Sequence, residues 1–272
     1  MPLTFENPPL VELIAELRWS PLPQGASQTV EPGNIAASFI TANTSPLEEF
    51  FMRFGGAVQQ LGFTGIERLI PAAFPMVTFQ PVFRFRPPKT DTAVLYQVGA
   101  GIFSANAIPP YKTWKKFAPV VEQGVVTLLS TRSEAERETP FTGASLRYID
   151  AFASKHAKGL EIAEFVQQVL RIGVSLPVAL TKRIAAGRKH KIFLQLQLPM
   201  LDGMIMSIGI GEGIANKQTS ILMDTTVATT TPIPPTKQAV MDCMNTAHDA
   251  IHDMFVEITE PIRDLMQPID LP

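Results

Sequence analysis

The chain has 272 residues, 46% of them hydrophobic, and a formal net charge of −2. That length suits one large domain or two small ones, with a core that needs no disulfide or metal to hold it. A pI near 6.1 leaves no basic excess to neutralise phosphates, which argues against a nucleic-acid partner.

Cys243 is the only cysteine, so an intrachain disulfide and a cysteine-based zinc site are excluded and a reducing compartment is expected. Residues Met1 to Pro9 lack the basic and apolar regions of a signal peptide. No run reaches the roughly eighteen apolar residues that a membrane helix needs. The expectation is a cytoplasmic protein with no membrane partner.

Asn7-Pro8-Pro9 sets an extended start. From Leu10 to Trp19, Val11, Leu13, Ala15, Leu17 and Trp19 alternate with Glu12, Ile14, Glu16 and Arg18, which predicts a strand with one buried and one charged face. Ser20 to Ser45 reads as a long loop with a short element around Ile35 to Ile40. Ser45-Pro46 opens a helix to about Leu61, with an apolar stripe of Leu47, Phe50, Phe51, Phe54, Val58 and Leu61. Gly62 closes it, and Gly55-Gly56 lets another segment come close.

Three strands follow. They are Ile66 to Ile70, Met76 to Arg86 with Pro81 marking an edge or a bulge, and Ala93 to Asn106 with a bulge or bend at Gly99 and Gly101. A second helix runs from Tyr111 to about Leu129, with Trp114, Phe117, Val121, Val125 and Leu128 on one stripe. Thr131 to Thr139 reads as a solvated turn or helix end.

The central strand, Phe141 to Phe152, opens the second half. A helix at about Leu160 to Ile172 follows, then an irregular connector. Strands come next at Ile192 to Leu198, Met204 to Ile210 and Gln218 to Thr230. The last helix spans about Thr236 to Ile258, with a kink and a new turn after Thr259. Each half therefore reads strand, helix, three strands, helix. The fold class is α+β, with curved antiparallel sheets packed on helices. The halves are 1–139 and 140–272, or one continuous domain; a single unduplicated sheet is the alternative.

Several segments together resemble a known protein family. Asn7-Pro8-Pro9-Leu10-Val11-Glu12 with Glu16-Leu17-Arg18-Trp19 is similar to its opening. Gln97-Val98-Gly99, Phe103-Ser104-Ala105-Asn106, Tyr111, Trp114 and Phe117 follow it through the first half. Leu146-Arg147-Tyr148-Ile149-Asp150 resembles its central motif, in which asparagine more often stands last; Ala247-His248, Phe255 and Ile258-Thr259 resemble its close. The family is a sporadically distributed bacterial one of about this length. The resemblance implies a fold and candidate residues but no reaction, and its scattered distribution suits accessory genes of the defence or toxin–antitoxin kind.

Known chemistries find little support. His248 and His252 stand four apart beside Asp249 and Asp253, but lack the glutamate and third ligand of a zinc-peptidase helix. Gly209-Ile210-Gly211-Glu212-Gly213 leads into another β-rich run rather than a helix, so a hairpin explains it better than a phosphate loop. Asp242 beside Cys243 would raise its thiol pKa, against a nucleophile. The basic cluster Lys182, Arg183, Arg188, Lys189, His190 and Lys191 reads as a solvated turn, with a phosphate contact as the alternative.

The candidate binding residues are Glu12, Glu16, Arg18, Arg147 and Asp150, with a Glu16–Arg147 bridge tying the halves together. No catalytic residue, metal or cofactor is assigned. The leading expectation is a non-enzymatic protein that binds another protein or a second copy of itself. The alternative is a carrier of a small apolar ligand, with the eleven methionines and seventeen phenylalanines lining its cavity. An enzyme built on Glu12, Glu16 and Arg147 ranks last.

Overall fold

The computed structural model describes residues 3–21, 39–40, 45–71, 74–88, 93–109, 113–187 and 190–269. In the first half the elements are strands β1 (Thr4–Phe5), β2 (Leu10–Arg18) and β3 (Phe39–Ile40), then helix α1 (Ser45–Gln60). Strands β4 (Gly65–Arg68), β5 (Met76–Val77), β6 (Pro81–Arg86), β7 (Val94–Gly99) and β8 (Ile102–Ala107) lead to helix α2 (Trp114–Thr131). The second half has β9 (Gly143–Phe152) and short helices α3 (Ser154–Ala157), α4 (Ile162–Gln168) and α5 (Val178–Thr181). It continues with β10 (Leu194–Pro199), β11 (Met204–Ala215), β12 (Gln218–Thr229), helix α6 (Lys237–Ile258) and β13 (Pro268–Ile269).

The class is α+β, as the sequence predicts. Nine strands form one sheet in the order β10-β11-β12-β9-β2-β8-β7-β6-β4. Its β10–β11, β4–β6, β6–β7 and β7–β8 ladders are antiparallel. The chain divides into two compact units. The first takes Met1–Leu13, Arg147–Val227 and His248–Pro272; the second takes Ile14–Leu146 and Ala228–Ala247. The sequence predicts halves 1–139 and 140–272, or one continuous domain. In the structure each unit combines segments from both ends, because β2, β9, β12 and α6 each give residues to both.

An aromatic core organises the second unit. Alternation along β2 buries Ala15, Leu17 and Trp19, and the α1 stripe buries Phe50, Phe51, Phe54 and Val58. The Trp19 ring meets Phe50 and Phe141 edge-on, with centroids 6.1 and 6.2 Å apart. Phe54 packs against Phe85, Tyr96 and Phe103. Such pairs add about 0.5–1.5 kcal/mol each beyond the area they bury. Gly55 faces the Phe85 ring, the close approach that its missing side chain allows. Arg132, expected in a solvated turn, is instead buried. Its guanidinium lies over Trp19 and Phe141 at 5.4 and 5.0 Å, where the ring faces attract the cation.

The expected single strand Ala93 to Asn106 is a hairpin. Ala100 and Gly101 form a two-residue turn between β7 and β8, with Gly99 opposite Ile102. Both glycines are there for space. A Cβ on Gly99 would sit 1.9 Å from the Gln80 carbonyl oxygen, and one on Gly101 2.4 Å from that of Trp19. Pro81 is the first residue of β6, and the register shifts between it and Phe83, the bulge that proline demands. The strand is not an edge, since β4 and β7 flank it.

In the first unit, β11 runs five residues beyond its expected end and turns into β12 at Asn216-Lys217. Both turn residues have positive φ, 49° and 63°, as a two-residue hairpin turn requires. Gly209, Gly211 and Gly213 therefore lie within β11 and not in a turn. A Cβ on Gly211 would meet the Phe193 ring at 2.9 Å, and one on Gly213 a Leu222 methyl at 2.3 Å. Helix α4 starts at a capping box of Glu161 and Glu164 and buries Phe165 against Phe152. After α6 the chain changes to a 3₁₀ segment, Glu260–Met266, that begins at Pro261. Most of the expected element around Ile35 to Ile40, the Tyr111 helix start, Arg188 and Lys189 lie outside the described residues.

Because rigid main chain faces Gly99 and a flexible leucine tip faces Gly213, the two sites should respond differently. Gly99→Ala is expected to cost about 3 kcal/mol or more, and Gly213→Ala less than half of that. Urea denaturation of both variants gives the comparison; equal costs would contradict it.

Candidate functional site

Strand β9 carries the polar residues singled out by sequence, and its period-two alternation sends them to opposite faces. Arg147 points to the face shared with Asp224 of β12. Its Nε donates to Asp224 Oδ1 at 2.8 Å, and its second nitrogen to Oδ2, a bidentate pair. Both side chains remain more than a third exposed. Asp224 carried a signal in the sequence, as the one charge in a β-forming run.

Glu16 belongs to the second unit and is paired with Arg18 at 2.7 Å. Glu12 is half-buried on the same strand. Arg147 and Glu16 thus fall in different units, each with a partner of opposite charge inside its own. Both pairs are partly exposed, of the kind usually worth at most about 1 kcal/mol.

The other face of β9 turns inward. Leu146 and Phe152 are buried there, and Tyr148 and Asp150 lie between them. Tyr148 Oη lies 2.8 Å from His248 Nδ1 on α6, with the donor set by the imidazole tautomer. One helical turn on, the His252 ring centroid is 5.7 Å from that of His248. Asp150 is 3% exposed. Tyr148, a hundred positions away, is a contact of His248 that the sequence could not supply.

Nδ1 of His248 is taken by Tyr148, and the described residues hold no group of three ligands that could bind an ion. Cys243 is half-buried, and burial first, then Asp242, raise its thiol. The described members of the basic cluster, Lys182, Arg183, His190 and Lys191, are exposed.

A second place stands out in the first unit. β10 ends the sheet order, and its residues are at best half-buried. Phe193, just before the strand, is 77% exposed; Leu198 is exposed within it, and Leu201 beyond its end. From Ile192 to Leu201 there is no charged residue. At the other end of the order, β4 is guarded: Glu67 pairs with Arg84 and Arg86, and Arg68 with Glu48. Charges of that kind keep an edge strand from pairing with other chains, and β10 has none.

No family model and no curated protein matches the chain. Among solved structures, the crystal structure of the di-domain ARO/CYC StfQ from the steffimycin biosynthetic pathway aligns with 84% of this chain and 97% of its own. The identity is 7% and the TM-score 0.22. A score that low does not establish a common fold. None of the helices in the described residues is long and apolar enough to cross a membrane.

Two titrations on the inward face should oppose each other. Burial pushes the Asp150 carboxyl up to about 7. The folded chain then holds a proton that the unfolded chain releases near pH 4, so stability from this group is full below about 4 and is lost as pH rises to 7. Burial and then His252 lower His248 to about 4. Its contribution is full above about 6.5 and is lost as pH falls to 4. The stability advantage of Asp150→Asn over the parent should therefore widen from pH 4 to 7, by on the order of 4 kcal/mol. That of His248→Gln should widen in the opposite direction. Urea titrations across this range test both, and pH-independent differences would contradict them. Arg147→Met should cost at most about 1 kcal/mol, measured the same way at pH 7.

Proposed function

We propose that this chain is a protein-binding module that works by presenting the open edge of β10 to a partner protein. The observation that carries this reading is an uncharged edge strand bordered by exposed Phe193, Leu198 and Leu201. An edge strand offers a row of main-chain donors and acceptors, and a partner strand that completes them gains specificity from the side chains on either face. No step in this reading requires catalysis, a cofactor or nucleic acid.

Asp150 favours a second reading. Its carboxyl group is buried, and a small ligand with a donor group would lower the cost of that burial. That ligand would lie against Tyr148, Asp150 and His248 on the inward face of β9. It would make the chain a carrier rather than a docking module.

Protein purified under native conditions from its own host separates the two. A stoichiometric protein partner that is lost from Phe193→Glu and Leu198→Glu, with their melting temperatures unchanged, is the expected result. Native mass spectrometry showing instead a bound small molecule, retained in those variants and lost in Asp150→Ala, would replace the docking reading with the carrier.

A further inference from the structure

Which strand fits the β10 edge is constrained by its own sequence. We infer that a second copy of this chain pairs with β10, antiparallel and two-fold symmetric about Leu196. The inference rests on the reading of β10 as a docking edge and names its occupant.

In that register Leu194 lies opposite Leu198 of the second copy, and Gln195 opposite Gln197. Each face of the joint sheet then continues in kind. The leucines extend the face that carries Met206, Ile208 and Ile210, which their β11 partners bury. The glutamines extend the face that carries Ser207 and Gly209. Like side chains meet across the strands and no like charges do, which is the condition for a favourable cross-strand pair. The antiparallel direction also keeps the exposed basic residues before the strand, Lys182, Arg183, His190 and Lys191, away from the same residues of the second copy. A parallel pairing would bring them together.

The pairing is also self-limiting. Pro199 ends β10 and offers no N–H to a further ladder, so Leu194 to Leu198 is the length that can pair. An isologous contact of this kind closes on two copies and leaves no edge for a third. Leu198, exposed at the end of the paired length, would be covered in the same step.

The test is a charge swap at the two glutamines, which are exposed and carry no core contact. Sedimentation velocity of the full chain over about 1–100 μM should give twice the mass of one chain, in the range of ordinary protein affinities. Gln195→Lys with Gln197→Lys places introduced lysines opposite each other and should weaken association by at least about tenfold. Gln195→Lys with Gln197→Glu places opposite charges across the strands and should restore the dimer. Thermal melting of each variant at low concentration confirms folding. A parent protein that stays monomeric throughout overturns the inference, as does a dimer indifferent to both pairs of substitutions. If the parent is monomeric and the two-lysine variant loses a different co-purifying protein, the docking edge stands and the second copy is wrong.

Discussion

The alternation of β9 is the constraint on which the first unit depends. Between Arg147 and Phe152 every side chain has its face assigned by parity. Odd positions put Arg147 beside Asp224 on the more exposed face. Even positions put Tyr148, Asp150 and Phe152 against the helices, where His248 and Phe165 meet them. A slip of one residue would bury the guanidinium and expose the phenylalanine, so the register and the polar pairs enforce one another. The Tyr148–His248 hydrogen bond has a further effect. It ties strand to helix at a point where simple apolar packing would tolerate several registers.

The edge of the sheet follows a different logic. Elsewhere the chain protects what it exposes: β4 carries three ion pairs, and Lys191 beside β10 is held by Glu212. The stretch from Ile192 to Leu201 has no such protection, and its apolar residues are solvated on both faces. An unguarded edge is a liability in a lone monomer and an asset in a complex. That contrast within one sheet is what favours docking over a bare structural role.

Much of the fold was legible from periodicity. The β2 alternation and the Phe50, Phe51, Phe54, Val58 stripe were readable because burial on one face leaves a regular mark. So was the division of the last helix from its 3₁₀ extension, because Pro261 forces it. Turns were harder. Gly99 and Gly101 signal a bend, but only the approach of Gln80 and Trp19, distant in sequence, makes that bend a hairpin. The site was legible only in part. Arg147 and Asp150 could be picked out as charges in an apolar strand, yet their partners could not, since Asp224 and His248 lie 77 and 100 positions beyond Arg147 and Tyr148. Arg132 was misread for a related reason. A charge in a polar run looks solvated until aromatic rings from two other segments close over it.

The exchanged termini set limits on how the gene can be dissected. A stop codon after residue 139 would leave the second unit without Pro140 to Leu146 and without Ala228–Ala247, while stranding thirteen residues of the first unit on the wrong polypeptide. The complementary fragment would lack the opening strand that its own unit requires. Neither product corresponds to a folding entity, so truncation series would report loss of folding where they meant to report loss of binding. Point substitutions on the intact polypeptide are the informative route, and a split version would need both fragments expressed together.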